Sequence, residues 1–326
     1  MESITKNKQD QKTIQNMIQK IMHQDISNDS DAIKELSDGW FNAIYEVKLD
    51  NNQFVIIKIA PDPLIPVMHY EKNMMESEVF FMQQAKSIGI PCPTIYGYDD
   101  SLTLCSAPYY IMEKLVGTSL EKIYSSLDPS TLKDILNATG HYTKLWNTSL
   151  KSDVFGYPFH KDLQASTMKE LFFKMLDHLL LDGKKNQCDL GFSYCKIRNL
   201  FEYLNDVLDE VKTPSFIHFD CWYTNIMVEG NKLVGFIDFE RAFYGDPLQE
   251  ALFRMKNPFE LEGYGKTTFS DSEKIRLDLY DAYLALIMII EDSYRHYDTE
   301  DIKNLGLHNL SQFVQKYKDV YERINC

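Results

Sequence analysis

Four things are scarce or missing in this 326-residue chain, and each removes a class of protein. Long apolar runs are missing. The longest, Ala282 to Ile290, has nine residues, and a helix spanning a bilayer needs about twenty. No C-x-x-C pair occurs, and no histidine stands at zinc-like spacing from Cys92, Cys105, Cys188, Cys195, Cys221 or Cys326. A zinc ribbon is therefore excluded, and the six cysteines read as reduced thiols. Positive charge is in deficit, with 34 Lys and Arg against 48 Asp and Glu for a net of −14. That argues against nucleic acid and anionic membranes as partners. A G-x-G-x-x-G phosphate loop is also missing. The first residues, Met1 to Lys6, are polar and charged where a leader would be apolar, so a cytoplasmic location is expected.

What is present is 44% hydrophobic residues, enough for two substantial cores, and two dense stretches late in the chain. His218-Phe219-Asp220-Cys221-Trp222-Tyr223-Thr224-Asn225 has H-x-D-x-x-x-x-N spacing. Ile237-Asp238-Phe239-Glu240 places another carboxylate thirteen residues after the asparagine. Between them lies a hairpin pattern: Ile226-Met227-Val228, a turn at Glu229-Gly230-Asn231, and an apolar run from Leu233 to Ile237. Antiparallel pairing would bring Asn225 and Asp238 together at the hairpin's open end. An amide oxygen beside a carboxylate suits magnesium, a hard cation that keeps most of its positions for phosphate and water. Asp220 faces the same place and can accept a proton from an attacking hydroxyl. A base and two metal ligands are what phosphoryl transfer requires.

The first third carries the matching features of a nucleotide site. Ala43–Leu49 and Phe54–Ile59 read as strands around an Asn51-Asn52 turn. Lys58 is the single cation in Phe54-Val55-Ile56-Ile57-Lys58-Ile59. A lysine there can mark an exposed edge or snorkel from the sheet. From about His69 to Ser87 the periodicity predicts a helix, with Met74, Met75, Phe81, Met82 and Ala85 on the same face as Glu78. A carboxylate on a core-facing stripe needs a partner, and Lys58 is the candidate. Glu76 is the alternative helix residue. Ser37-Asp38-Gly39-Trp40-Phe41-Asn42 stands where a phosphate-covering loop would lie, with amides near Gly39 able to approach phosphates.

These motifs together resemble the aminoglycoside phosphotransferase and choline kinase superfamily, small-molecule relatives of the protein kinases. The resemblance rests on His218-Phe219-Asp220 through Asn225, on Gly235-Phe236-Ile237-Asp238-Phe239-Glu240 and on a trailing Gly245-Asp246-Pro247. It implies an α+β, bilobal, protein-kinase-like fold: a small lobe with an antiparallel sheet plus a helix over residues 1–115, and a larger, mostly helical lobe over 116–326. It implies that Lys58 contacts the α- and β-phosphates of ATP or GTP, that Glu78 orients Lys58, and that Mg²⁺ is held by Asn225 and Asp238. Asp220 would be the catalytic base, with His218 positioning its loop. The strand Pro108–Met112 followed by Glu113-Lys114-Leu115-Val116-Gly117 would be the hinge. There Glu113 and Leu115 would offer main-chain groups to the base and Met112 would line the pocket. The loop lacks the arginine of H-R-D, Asp238-Phe239-Glu240 stands for D-F-G, and no A-P-E follows, which separates the chain from protein kinases.

The implied activity is transfer of a γ-phosphoryl group to a hydroxyl of a small acceptor, aminoglycoside-like, by a cytoplasmic monomer. An antibiotic-resistance role goes with that acceptor. Choline, macrolides and sugars are alternative acceptors, and a catalytically silent kinase-like module is the alternative from another class. Glu240, Asp246, Glu291 and Asp292 are the candidate acceptor-binding carboxylates; Glu291 and Asp292 open an acidic stretch that continues through Asp298, Glu300 and Asp301.

Overall fold

The structure is a computed structural model that describes residues 3–36, 39 and 41–326. Of the expected phosphate-covering loop, Ser37, Asp38 and Trp40 lie outside the described residues. Helix α1 (Gln11–Met22) opens at Asp10, whose carboxylate accepts the Thr13 amide at 2.7 Å, satisfying a first-turn donor that no carbonyl can reach. Strands β1 (Ile33–Glu35), β2 (Ala43–Lys48) and β3 (Phe54–Ile59) follow, then α2 (Met74–Ser87), β4 (Ile95–Asp99) and β5 (Tyr109–Glu113). The five strands form one antiparallel sheet in the order β1-β2-β3-β5-β4.

Both faces of β3 are covered, which is why its alternation is hidden in the sequence. Val55, Ile57 and Ile59 join Tyr109 and Ile111 of β5 and Ile14, Met17 and Ile18 of α1 in one core. The opposite face carries Ile56 and Lys58, in register with Met112 and Tyr110. That face looks toward α2, whose Met75 and Val79 pack on Tyr110. The two-residue period of the strand thus aims Lys58 at α2. The helix itself starts later than its periodicity suggests. A 3₁₀ turn occupies His69–Glu71, Asn73 takes a left-handed φ of 59°, and α2 begins at Met74.

The larger lobe contains β6 (Thr118–Ser119), α3 (Leu120–Ile123), α4 (Pro129–Ser149), β7 (Phe155–Gly156), β8 (Gln164–Ala165), α5 (Met168–Lys185), α6 (Tyr194–Tyr203), β9 (Ser215–Ile217), β10 (Ile226–Glu229), β11 (Lys232–Phe236) and β12 (Phe243–Gly245). It closes with α7 (Ala251–Met255), α8 (Pro258–Tyr264), α9 (Asp271–Arg295), α10 (Asp301–Lys316) and α11 (Lys318–Arg323). Helix α6 ends at Tyr203, and a 3₁₀ stretch runs over Asn205–Glu210. Helices α4 and α8 touch backbone to backbone. A Cβ on Gly140 would lie 2.0 Å from the Glu260 carbonyl oxygen, and one on Gly263 2.0 Å from that of Asn137.

A second core spans the two lobes. Phe81, Met82 and Ala85 of α2 pack with Trp146 of α4, Phe216 of β9, and Ile226, Val228 and Phe236 of the β10–β11 hairpin. This apolar bridge holds α2 against the hairpin, and so holds Glu78 near Asp238. The architecture is the bilobal, kinase-like α+β fold. Among the described residues no helix is long and apolar enough to cross a membrane. One expectation is corrected: Cys195 of α6 and Cys326 form a disulfide, leaving Cys92, Cys105, Cys188 and Cys221 as thiols. The pair is 131 residues apart, so no local spacing announces it.

Candidate active site

The structure gathers three carboxylates on Lys58. Its Nζ lies 2.9 Å from Glu78 Oε1, 2.7 Å from Asp238 Oδ1 and 3.0 Å from Glu240 Oε2. Lys58 and Glu78 are almost fully buried, and the Asp238 side chain is one-third exposed. Burial opposes the charge on Lys58, but Asp238, Glu240 and Glu78 outweigh it and raise its pKa well above the ordinary lysine value. Burial also works against Asp238, yet Lys58 keeps its carboxyl below the usual range. Glu78 is pushed up to about 7, by burial first, with Lys58 pulling against it. Burial and then Asp238 push Glu240 up. One cation therefore faces an excess of acid, a setting that favours a further positive charge.

Glu240 belongs to this cluster and not to an acceptor surface. It accepts the Asn42 amide at 2.7 Å and is buried. Glu78, rather than Glu76, meets Lys58; Glu76 is partly exposed. Glu78 Oε2 is buried with no hydrogen-bond partner among the described residues. The carboxylate oxygens of Glu78, Asp238 and Glu240 fall within 4.8 Å of one another. Asn225 is joined to the end of the hairpin, its carbonyl accepting the Ile237 amide at 3.0 Å. Its Nδ2 donates to the Asp220 carbonyl at 2.8 Å, which leaves Oδ1 uncommitted as an acceptor. A donor set of oxygen alone fits a hard divalent cation such as Mg²⁺.

The loop that presents Asp220 is bent sharply. Its amide bonds the His218 carbonyl at 2.8 Å around Phe219, whose φ is +68°. Asp238 has a φ of +66°. Both are non-glycine residues in a conformation that costs energy and persists only where surroundings enforce it. At the Phe219 bend the enforcing group is Glu250, which no sequence motif singles out. Its buried carboxylate accepts Trp146 Nε1 at 2.7 Å, Asn147 Nδ2 at 2.8 Å, the His218 amide at 3.1 Å and the Phe219 amide at 3.3 Å. Burial raises its pKa to about 6, against the pull of those donors. Arg254 closes the loop from below, donating to the Phe219 carbonyl and lying over the Phe219 and Trp222 rings. His218 is fully buried, and burial lowers its pKa. A neutral ring with Nε2 3.2 Å from the Ile237 carbonyl donates there, tying the loop to the residue before Asp238.

Asp220 itself accepts Trp222 Nε1 at 2.6 Å on Oδ1, and Arg241 Nε lies 3.9 Å from Oδ2. Arg241 continues into a buried network. It donates to Glu291 at 2.8 Å; Glu291 also pairs with Arg295 at 2.9 Å and accepts the Tyr297 hydroxyl. Arg295 in turn pairs with Glu71, just before α2. Although burial opposes ionisation, Arg295 and Arg241 hold the Glu291 pKa at about 2.

The expected acceptor carboxylates do not converge. Glu291 is spent on two arginines. Asp246 is buried, accepting the Leu248 amide at 3.1 Å and the Tyr280 hydroxyl at 2.9 Å, with Arg276 Nε 3.1 Å away. It braces the segment after β12. Asp292 lies 3.8 Å from Lys303, while Asp298, Glu300 and Asp301 are exposed. Periodicity on a single helix could not tell the inward Glu291 from its outward neighbours.

At the expected hinge, Met112 is partly buried against both the α2–Tyr110 cluster and the interlobe core. The Glu113 amide bonds the Thr94 carbonyl at 2.8 Å, and the Glu113 carboxylate accepts the Thr94 amide at 3.0 Å and hydroxyl at 2.8 Å. Leu115 packs on Gly235 of β11, where a Cβ would come within 2.5 Å of it. Gly39 is described, and a Cβ there would meet Ile44 at 2.8 Å.

A lysine-centred acidic cluster, an aspartate loop and a connecting hairpin within two lobes define a kinase-like phosphotransferase architecture. The chain belongs to the phosphotransferase enzyme family (APH), whose sequence profile matches residues 32–255. Solved structures share the fold at low identity. The streptomycin–ATP–APH(2'')-IIa ternary complex is 18% identical with a TM-score of 0.65, covering 94% of this chain and 97% of that one. A ternary complex of an APH(4)-Ia variant with ADP and hygromycin B is 14% identical with a TM-score of 0.66, covering 93% and 98%. A candidate fructosamine-3-kinase from Thermobifida fusca is 15% identical with a TM-score of 0.65, again covering 93% and 98%. A subtelomeric hrmA-associated cluster protein of Aspergillus fumigatus is 32% identical over 117 residues, 35% of this chain and 22% of that protein. Acyl-CoA dehydrogenase family member 10 of Mus musculus is 22% identical over 222 residues, 66% of this chain and 19% of that protein. The chain thus spans about a fifth of the length of these curated relatives.

Proposed function

We propose that the chain is a small-molecule kinase that moves the γ-phosphoryl group of ATP or GTP to an acceptor hydroxyl, with residues 1–115 as the nucleotide lobe and 116–326 as the catalytic and acceptor lobe. The observation that carries this reading is Lys58, held by Glu78 and Asp238 at the end of the hairpin that also fixes the Asp220 loop. Lys58 would meet the α- and β-phosphates, and Glu78 would keep it aimed there. Main-chain groups of Glu113 and Leu115 would take the base, with Met112 behind it and Gly39 near the phosphates. Asp238 and Asn225 would hold Mg²⁺, which supplies charge neutralisation for the phosphates. Asp220 would orient the acceptor hydroxyl and take its proton as the hydroxyl oxygen attacks phosphorus. Trp222 fixes the Asp220 carboxylate, and His218 with Glu250 fixes the loop.

The acceptor side supports a neutral or anionic hydroxyl compound, such as a sugar, over a polyamine. Arg241 stands beside Asp220, and the acids that would take a polycation are already paired. The test is nucleotide consumption with Mg²⁺ across aminoglycosides, macrolides, choline and sugars. Transfer to a sugar-like hydroxyl is expected. Efficient transfer to aminoglycosides would overturn the acceptor reading alone. No transfer to any acceptor, with failure to bind ATP and GTP, would favour a silent binding module.

A further inference from the structure

We propose that His69, His160 and Asp162 form a second metal site, for a borderline divalent cation such as zinc, where the segment before α2 meets the large lobe. One ring nitrogen of each histidine and one oxygen of Asp162 lie within 4.8 Å of one another, and His69 Nε2 is 3.8 Å from Asp162 Oδ2. Zinc ligands at about 2 Å from the ion sit roughly 3.3–3.5 Å apart. Bringing the His69–Asp162 pair to that spacing needs about half an ångström of movement, which Asp162 can supply because its side chain is 70% exposed.

Three observations set this cluster apart from packed histidines. His69 Nε2 is buried and has no hydrogen-bond partner among the described residues, a state that buried polar atoms rarely keep. The His69 ring cannot swing to find one. It stacks on His178 with centroids 3.7 Å apart and planes 4° apart, while its backbone amide is held by Asp182 at 2.7 Å. His160 is oriented as metal-bound histidines are: its Nε2 lies 2.9 Å from the His69 carbonyl, so Nε2 donates and the lone pair is on Nδ1.

Two imidazoles and one carboxylate favour zinc, copper or nickel over magnesium, the reverse of the all-oxygen set around Asp238. The two sites would therefore sort metals between them. An ion here would tie His69, on the way into α2, to the 160–162 loop of the large lobe. That adds a clamp beside the Glu71–Arg295 pair and the bond from Asn73 Nδ2 to the Phe159 carbonyl at 2.9 Å.

The test is titration of the full metal-free chain with Zn²⁺ in competition with a chromophoric chelator, with millimolar Mg²⁺ present to occupy the oxygen site. One zinc per chain is expected. His160→Gln should weaken binding at least about tenfold, and Asp162→Asn should weaken it less. Asp162→Asn alters an exposed side chain, so it decides the matter should His160→Gln fail to fold. Co²⁺ bound in place of zinc should give visible bands of histidine ligation that His160→Gln abolishes. Absence of zinc binding by the wild-type chain, or equal affinity in wild type and both variants, would overturn the proposal.

Discussion

Around Lys58 one cation faces Glu78, Asp238 and Glu240, whereas around Asp220 the acids Asp220, Glu291 and Glu71 are matched by Arg241, Arg254 and Arg295. The first region carries surplus negative charge and opens to solvent through Asp238. The second is balanced and closed. The difference shows where each receives its missing partner. Surplus carboxylate suits a site completed by a cation and phosphates, while balance suits a site whose own geometry must stay fixed during the reaction. It also shows that acidity counted along a sequence says little about the charge a ligand meets.

The comparison can be broken in four places. The largest effect is expected at Asp220. Asp220→Asn should leave nucleotide binding intact and lower kcat by about 10²–10⁴; undiminished turnover would remove the base assignment. Glu291→Gln should come next. If Glu291 neutralises Arg241 and Arg295, the variant should lose about 3 kcal/mol of stability in urea unfolding. Were it an acceptor ligand, KM would rise and stability would hold.

Glu260 supplies a pH test of burial without compensation. It is fully buried, among the described residues receives only the Tyr223 hydroxyl at 3.4 Å, and burial pushes its pKa up to about 8. The folded chain keeps this proton between the ordinary carboxylate range and pH 8, while the unfolded chain releases it, so stability falls as pH rises through that window. Glu260→Gln should therefore gain about 2 kcal/mol over wild type at pH 8.5 and nothing near pH 4.5. An offset that does not change with pH would end the account. The smallest effect is expected for Trp222→Phe, which removes the bond to Asp220 Oδ1. It should cost roughly tenfold in kcat, about 1.4 kcal/mol, with KM for nucleotide unchanged.

How much of this was readable depended on chain distance. Lys58, Glu78, Asp220, Asn225 and Asp238 stand in short patterns whose spacing carries their meaning, and the strands and helices holding them follow ordinary periodicity. One boundary moved because Asn73, just before α2, adopts a left-handed geometry that apolar spacing does not encode. Glu250 gave no signal, since its four donors come from α4 and from the loop just after β9, and only folding brings them together. Arg295 meets Glu71 across 224 positions, and the left-handed Phe219 is imposed by its surroundings. Glu240 and Glu291 were visible as acids but not as paired ones. A formal charge says nothing about which neighbour is buried beside it.

The apolar bridge between the lobes has a mechanical consequence. Swinging α2 away from the hairpin would expose Phe81, Met82 and Ala85 together with Phe216 and Phe236, at roughly 1.5–3 kcal/mol for each large side chain. Glu71, paired with Arg295, anchors the near end of the same helix. The Lys58–Glu78 alignment is therefore built in as the chain folds, and parting the pair by moving α2 carries the cost of opening that core.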